Sequence, residues 1–216
     1  MRSPRRTFIL LLGALALIAS GCTNTRQSVG PAATGPAVKP TTLLTIGGSA
    51  TEGDGTDDRL RDAWPYLVLH DALPPASVLV NAALDHQTVE RAIVDQLPIS
   101  REVKPDVVAI WLGADDVLAD VPRGDFTRAL TQLVQSLRAE GAHRILVGDL
   151  PAQLGGPVGG YNAAIRAVVT ATHAELVELA RTPIRIVRVS GLADQPDTAS
   201  HRAIAAAFTR VLTSSP

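Results

Sequence analysis

From Thr41 onward the chain alternates short β-branched or apolar runs with longer stretches of helical period, and that alternation restricts it to one fold class. The apolar runs are Thr42 to Ile46, Ser77 to Asn81, Asp106 to Leu112, Arg144 to Asp149 and Ile184 to Val189. Between and after them the helical period covers Leu60 to Ala72, Thr88 to Leu97, Phe126 to Glu140, Tyr161 to Ala180 and Ala199 to Leu212. Continuous apolar strands separated by helices indicate a parallel sheet buried on both faces. Pro105 just before the third run and Gly141 just after the third helical stretch agree with those boundaries. Right-handed crossovers then predict an α/β fold, a three-layer, doubly wound, five-stranded parallel sheet of flavodoxin-like type. With 46% hydrophobic but only 3% aromatic residues, one aliphatic core is expected, hence one domain over 41–216.

Ahead of that domain lies an export signal. Arg2, Arg5 and Arg6 precede an apolar run from Phe8 to Ile18, and Ala19-Ser-Gly-Cys22 follows. The order is that of a secretory signal over 1–21, and the run is too short to span a bilayer comfortably. The single cysteine closes the small-residue triplet, an arrangement that resembles a bacterial lipobox and implies acylation of Cys22. Each buried methylene contributes about 0.8 kcal/mol, so two or three acyl chains would hold the chain on a membrane. The paired arginines leave Sec and twin-arginine export both open. Residues 22–40, rich in Thr, Gly, Pro, Ala and Ser, have the composition of a disordered tether, with a reach on the order of 60 Å. The expected localisation is therefore outward-facing, anchored in a bacterial membrane through Cys22. Removing the signal takes the net charge from −1 to about −4, and nothing in that balance suggests a nucleic-acid surface.

In doubly wound sheets ligands bind beyond the carboxyl ends of the strands. That rule selects Gly47 to Thr51, Asn81 to Thr88, Gly113 to Asp116 and the segment before the last helix. The first of these carries Ser49 where an apolar run ends and a glycine pair lets the backbone turn. Three further stretches need a reading. Glu52-Gly-Asp-Gly-Thr-Asp-Asp58 is acidic and glycine-rich, but its spacing does not match an EF-hand loop, so the expectation is a solvated loop with Asp58 capping the next helix. Gly155-Gly-Pro-Val-Gly-Gly160 lacks the lysine and hydroxyl of a P-loop and is expected to be a flexible loop near the site mouth. His70, His143 and His173 fall at no metal-ligand spacing, and Trp64 and Trp111 read as packing residues. No cofactor and no metal are expected.

These loops resemble the blocks of the SGNH (GDSL) hydrolase family of esterases, lipases and carbohydrate deacetylases, over essentially all of Thr41 to Leu212. Gly47-Gly-Ser-Ala-Thr51 matches G-D-S-x-T, Asn81-Ala-Ala-Leu-Asp-His-Gln-Thr88 matches N-x-x-x-S-G-x-T, and Gly113-Ala-Asp-Asp116 matches G-x-N-D. Lys104-Pro-Asp106, Tyr161-Asn-Ala-Ala-Ile165 and Ile204-Ala205 fit as supporting text. The resemblance implies a serine hydrolase scaffold with Ser49 as nucleophile. It also implies departures. The family's D-x-x-H-P frame reads Leu192-Ala-Asp-Gln195-Pro196, so Leu192 and Gln195 stand where the acid and base belong. Asp115 replaces the oxyanion asparagine, His86 the block-two glycine and Gly48 the block-one aspartate.

A glutamine cannot take a serine proton at neutral pH, and an ionised Asp115 accepts hydrogen bonds but donates none. His201, with Asp197 four residues earlier, falls at a helical histidine position of the family rather than beside the serine. His86 shares a sheet edge with Ser49 and Asp115, so either a relocated Ser49, His86, Asp115 triad or a merely solvated histidine fits. Two functions follow. One is a surface lipoprotein that has lost family catalysis and binds an envelope glycan, an acyl ester or a protein partner. The other is a working esterase or deacetylase with a non-standard base.

Overall fold

The computed structural model describes residues 38–188 and 194–214. The predicted export signal, Cys22, the predicted tether up to residue 37 and Leu192 lie outside the described residues. Five parallel strands form the main sheet: β1 (Thr42–Gly47), β2 (Val78–Asn81), β3 (Val107–Trp111), β4 (Arg144–Gly148) and β5 (Glu175–Val177), in the order β2-β1-β3-β4-β5. β1 pairs with β2 on one side and β3 on the other, so the winding direction reverses between β1 and β3. That reversal opens a crevice at the carboxyl ends of these two strands.

Successive side chains on a strand point to opposite faces, and here both faces are covered. Leu43, Val107, Ala109 and Leu146 face α3 (Trp64–Ala72) and α9 (Thr198–Thr213). Leu44, Ile46, Val108, Ile110 and Ile145 face a second core, which also holds buried residues of α4 (Val89–Asp95), α5 (Leu97–Val103), α7 (Arg123–Ala139) and α8 (Val158–Thr172). Each layer has one aromatic pair at its centre. Trp64 stacks on Phe208 with centroids 4.3 Å apart, and Phe126 meets Tyr161 edge-on at 5.0 Å. Two-sided burial is why the strands read as unbroken apolar runs.

The predicted three-layer sheet and four of its strands stand. The fifth strand does not. Of the predicted Ile184 to Val189 strand, the described residues lie outside the main sheet, and β6 (Ile186–Val187) pairs antiparallel with β7 (Gln195–Pro196). The true fifth strand, Glu175–Val177, falls inside the predicted Tyr161 to Ala180 helix, because α8 stops at Thr172. His173 ends it in the left-handed conformation at φ 54°, a stop that carries no glycine to announce it. The predicted Leu60 to Ala72 helix is two, α2 (Arg59–Asp62) and α3, broken at extended Ala63 before Pro65. Likewise the Thr88 to Leu97 segment ends at Asp95, and Leu97–Val103 begins a new helix. Two short helices, α1 (Ser49–Glu52) and α6 (Ala114–Leu118), stand where loops were predicted. Gly159 and Gly160 belong to the first turn of α8, so the glycine-rich stretch is only half loop. The Asp58 cap is present, accepting from the Leu60 N–H at 3.0 Å.

Trp64 is fully buried, and truncating it removes both its own transfer free energy and the stack on Phe208. Trp64→Ala is expected to lose about 3–5 kcal/mol in chemical denaturation. Leu60→Ala, at a side chain 71% exposed, should stay within about 0.5 kcal/mol.

Candidate active site

The site begins where β1 ends. The Gly47 N–H donates to Gln96 Oε1 and the Gln96 Nε2 donates back to the Gly47 carbonyl, both at 2.9 Å. A Cβ at residue 47 would stand 2.1 Å from Thr51 Oγ1, so only glycine lets α1 fold back this closely. Gly48 is extended, and its carbonyl accepts the Thr51 and Glu52 N–H groups at 2.8 and 3.1 Å, which starts the helix at Ser49. Asn81, at the end of β2, accepts from Thr45 Oγ1 at 2.8 Å and donates to the Thr51 carbonyl at 2.8 Å. The serine's backbone is thus tied to two strands and a helix.

Beyond these strand ends lies a cleft of about 690 Å³, counting its open mouth. Ser49, His86 and Asp115 all line it, and so does Gln195 from β7. The rest of the wall is largely apolar, with Trp111, Leu112, Leu118, Leu150, Leu154 and Ile186. Among the described residues Ser49 Oγ makes no hydrogen bond, to His86 or to anything else. His86 is exposed, with φ 54°, in the left-handed conformation that the family's glycine would adopt without strain. Gly48 and Asp115 are close neighbours: a Cβ on Gly48 would lie 3.2 Å from Asp115 Oδ2. An aspartate at 48 would push its carboxylate toward another, so glycine there accommodates Asp115.

The edge is rich in carboxylates held above their usual range. Burial pushes Asp115 up, opposed by the nearby His86 and by the Gln87 backbone N–H. Asp116 is buried and pushed up to about 6, chiefly by burial, while the Val89 N–H at 3.1 Å pulls the other way. Glu52 is pushed up to about 7 by burial and then by contact with Asp85. Asp54, 1% exposed, is raised by burial despite an ion pair with Arg59. The predicted solvated loop at Glu52 to Asp58 is therefore wrong in its first half. Gly55 shows why: a Cβ there would stand 2.1 Å from the Pro196 carbonyl, so β7 covers the loop.

The GDSL-like lipase/acylhydrolase family model matches residues 45–204. The chain belongs to that family. Its fold is shared by solved relatives of low sequence identity. TesA is 24% identical, with TM-score 0.66 over 80% of this chain and 98% of its own. The psychrotrophic esterase EstA from Pseudoalteromonas sp. is 20% identical, with TM-score 0.65 over 80% and 96%. A catalytic mutant of Axe2, an acetylxylan esterase from Geobacillus stearothermophilus, is 18% identical, with TM-score 0.64 over 82% and 97%. No curated protein sequence matches the chain.

In this GDSL-like domain His201 is a structural residue, not a spare base. It is fully buried on α9, its Nδ1 accepts the Trp64 N–H at 3.2 Å, and its Nε2–H donates to the Asp54 carbonyl at 3.1 Å. Both ring nitrogens are used in holding the acidic loop against α3. Asp197 is likewise occupied, capping α9 through the Ser200 N–H at 2.8 Å and pairing with Arg185, which together with the Ser200 hydroxyl holds its carboxyl below the usual range. Sequence reasoning missed Gln96 and the buried Asp54. Gln96 lies in a helical segment with no motif to mark it, and Asp54 lies in a stretch whose composition reads as solvent-facing.

Burial holds the His201 pKa at about 4, against an ordinary 6.5. The unfolded chain therefore binds this proton first as pH falls, so the stabilising share of neutral His201 is whole above 6.5 and is lost between 6.5 and 4. Relative to His201→Gln, the wild type should lose about 3 kcal/mol across that window. Parallel denaturation curves at several pH values measure the difference.

Proposed function

We propose that this chain is an exported, lipid-anchored envelope protein whose GDSL-like domain binds acyl or acetyl esters and hydrolyses them weakly or not at all. The observation that carries the reading is the company Ser49 keeps. The cleft wall contributed by β7, in the family frame of the base, presents Gln195, 6% exposed, and Ser49 Oγ has no hydrogen-bond partner among the described residues. An amide cannot take up the hydroxyl proton that attack on an ester releases. Asp115, where an amide donor would face a developing oxyanion, offers a hydrogen bond only when protonated, and loss of one such donor costs about 2.7 to 4 kcal/mol in the transition state. The apolar wall suits the acyl portion of a ligand, with the polar edge at Ser49 meeting its ester. The names of the solved neighbours, an esterase and an acetylxylan esterase among them, point to the same ligand class. Anchorage is inferred from the signal-like start and Cys22. Among the described residues no helix is long and apolar enough to cross a membrane.

One observation favours a second reading. His86 and Asp115 line the same cleft as Ser49 and lie close enough to interact electrostatically, so His86 is placed to act as base if the loop carrying it tightens around substrate.

A fluorophosphonate probe and short-chain aryl esters distinguish the two on the purified full-length protein. Our reading expects no Ser49-dependent labelling and kcat/KM within about tenfold of Ser49→Ala. Labelling and turnover that disappear in both Ser49→Ala and His86→Ala would establish the second. For the anchor, Cys22→Ala is expected to move the protein from the membrane to the soluble fraction, and unchanged partitioning would refute lipidation at Cys22.

A further inference from the structure

Just behind the cleft, three carboxylates converge from three points of the chain. Glu52 is the last residue of α1, Asp54 lies in the loop after it, and Asp85 lies on the β2–α4 loop beside His86. One oxygen of each lies within 4.8 Å of one from each of the others. Two oxygens bound to one ion can be no farther apart than twice a metal–oxygen distance, and calcium binds oxygen at about 2.3–2.6 Å. The spacing therefore admits a single ion among the three.

Proximity of acids alone would carry little. The second observation is Asp54 itself: its side chain is wholly buried, Arg59 pairs with Oδ1, and Oδ2 has no hydrogen-bond donor among the described residues. A buried carboxylate oxygen with no partner costs several kcal/mol unless a cation or donor reaches it. Charge points the same way. Three acids meet one guanidinium, which leaves the cluster about two charges short of neutral when all are ionised. Glu52 and Asp85 also meet directly, and two carboxylates in contact need a cation or a shared proton between them.

We propose that Glu52, Asp54 and Asp85 form a binding site for a divalent cation of calcium type, completed by water. Three protein oxygens are fewer than the six to eight that calcium takes, and Arg59 offsets part of the acidic charge. The site is accordingly weak, in the range of about 10⁻⁴ to 10⁻³ M that extracellular modules use. Its location gives it a task. Glu52 ends the helix that Ser49 begins, and Asp85 precedes His86, so an ion bridging them ties together two walls of the cleft. This holds whether or not Ser49 reacts with esters.

The test uses the full-length chain in detergent, stripped with chelator and then titrated with calcium or magnesium chloride. Calcium at about ten times its Kd should raise the thermal midpoint by several degrees, with a saturating dependence, and magnesium by clearly less. Terbium luminescence, sensitised by protein excitation and displaced by calcium, reads binding directly. Asp85→Asn, at an exposed position that leaves the fold intact, should weaken calcium binding at least tenfold. An identical midpoint with chelator and with calcium would overturn the proposal, as would a calcium response preserved in Asp85→Asn. So would an Asp85→Asn chain that gains stability in chelator while the wild type ignores calcium, since that pattern belongs to a shared proton.

Discussion

The side-chain amide of Gln96, fully buried against the Gly47 peptide, is the contact on which the functional edge depends. The β1–β2 register has already ended at Thr45 and Asn81, yet the chain runs two residues further before it turns into α1. There the backbone needs one donor and one acceptor at peptide spacing, and a carboxamide supplies both. Without it, the buried Gly47 N–H would be left unpaired at a cost of about 1–3 kcal/mol, while the Gly47 carbonyl would keep only the Leu84 N–H at 3.2 Å. The device recurs after β4, where Asn162 accepts the Leu150 N–H at 2.7 Å and donates to its carbonyl at 2.8 Å. Both amides sit where sheet hydrogen bonding runs out. That is also where the cleft floor lies, so ligand contacts rest on backbone that has been satisfied by side chains rather than by strands.

Around that floor the protein gathers acid and then covers it. Asp54, Asp115 and Asp116 are partly or wholly withdrawn from water, and in each case burial outweighs the cations or backbone N–H groups that oppose it. The opposite wall is largely apolar, so charge and hydrocarbon face each other across the cleft. Gly48 and Asp115 are neighbours in space, the missing side chain of one making room for the carboxylate of the other.

Much of this was readable before folding. Leu43 to Ile46 and Val107 to Trp111 are apolar on both faces of a strand, and only a sheet covered twice accommodates that. The strand ends selected Ser49, His86, Asp115 and Gln195, which the fold does bring to one cleft. What failed was short or unsignalled. Glu175-Leu-Val177 continues the apolar rhythm of α8, and the left-handed His173 that separates them is not a residue type that marks helix ends. Gln96, at the junction of α4 and α5, carries no motif because a glutamine there is compatible with one continuous helix. Its use depends on a strand end 49 residues earlier in the chain.

Local periodicity and turn chemistry therefore determined the fold class, the order of most elements and the loops that form the site, because those signals act between residues a few positions apart. Tertiary structure alone decided that the first half of an acidic, glycine-rich stretch would be buried and that His201 would serve packing. The Asp54 loop lies under Pro196 and bonds to His201, 147 residues away. Burial, and with it every shifted pKa at this edge, is a property of what packs on a residue from afar, and no stretch of neighbouring sequence contains it.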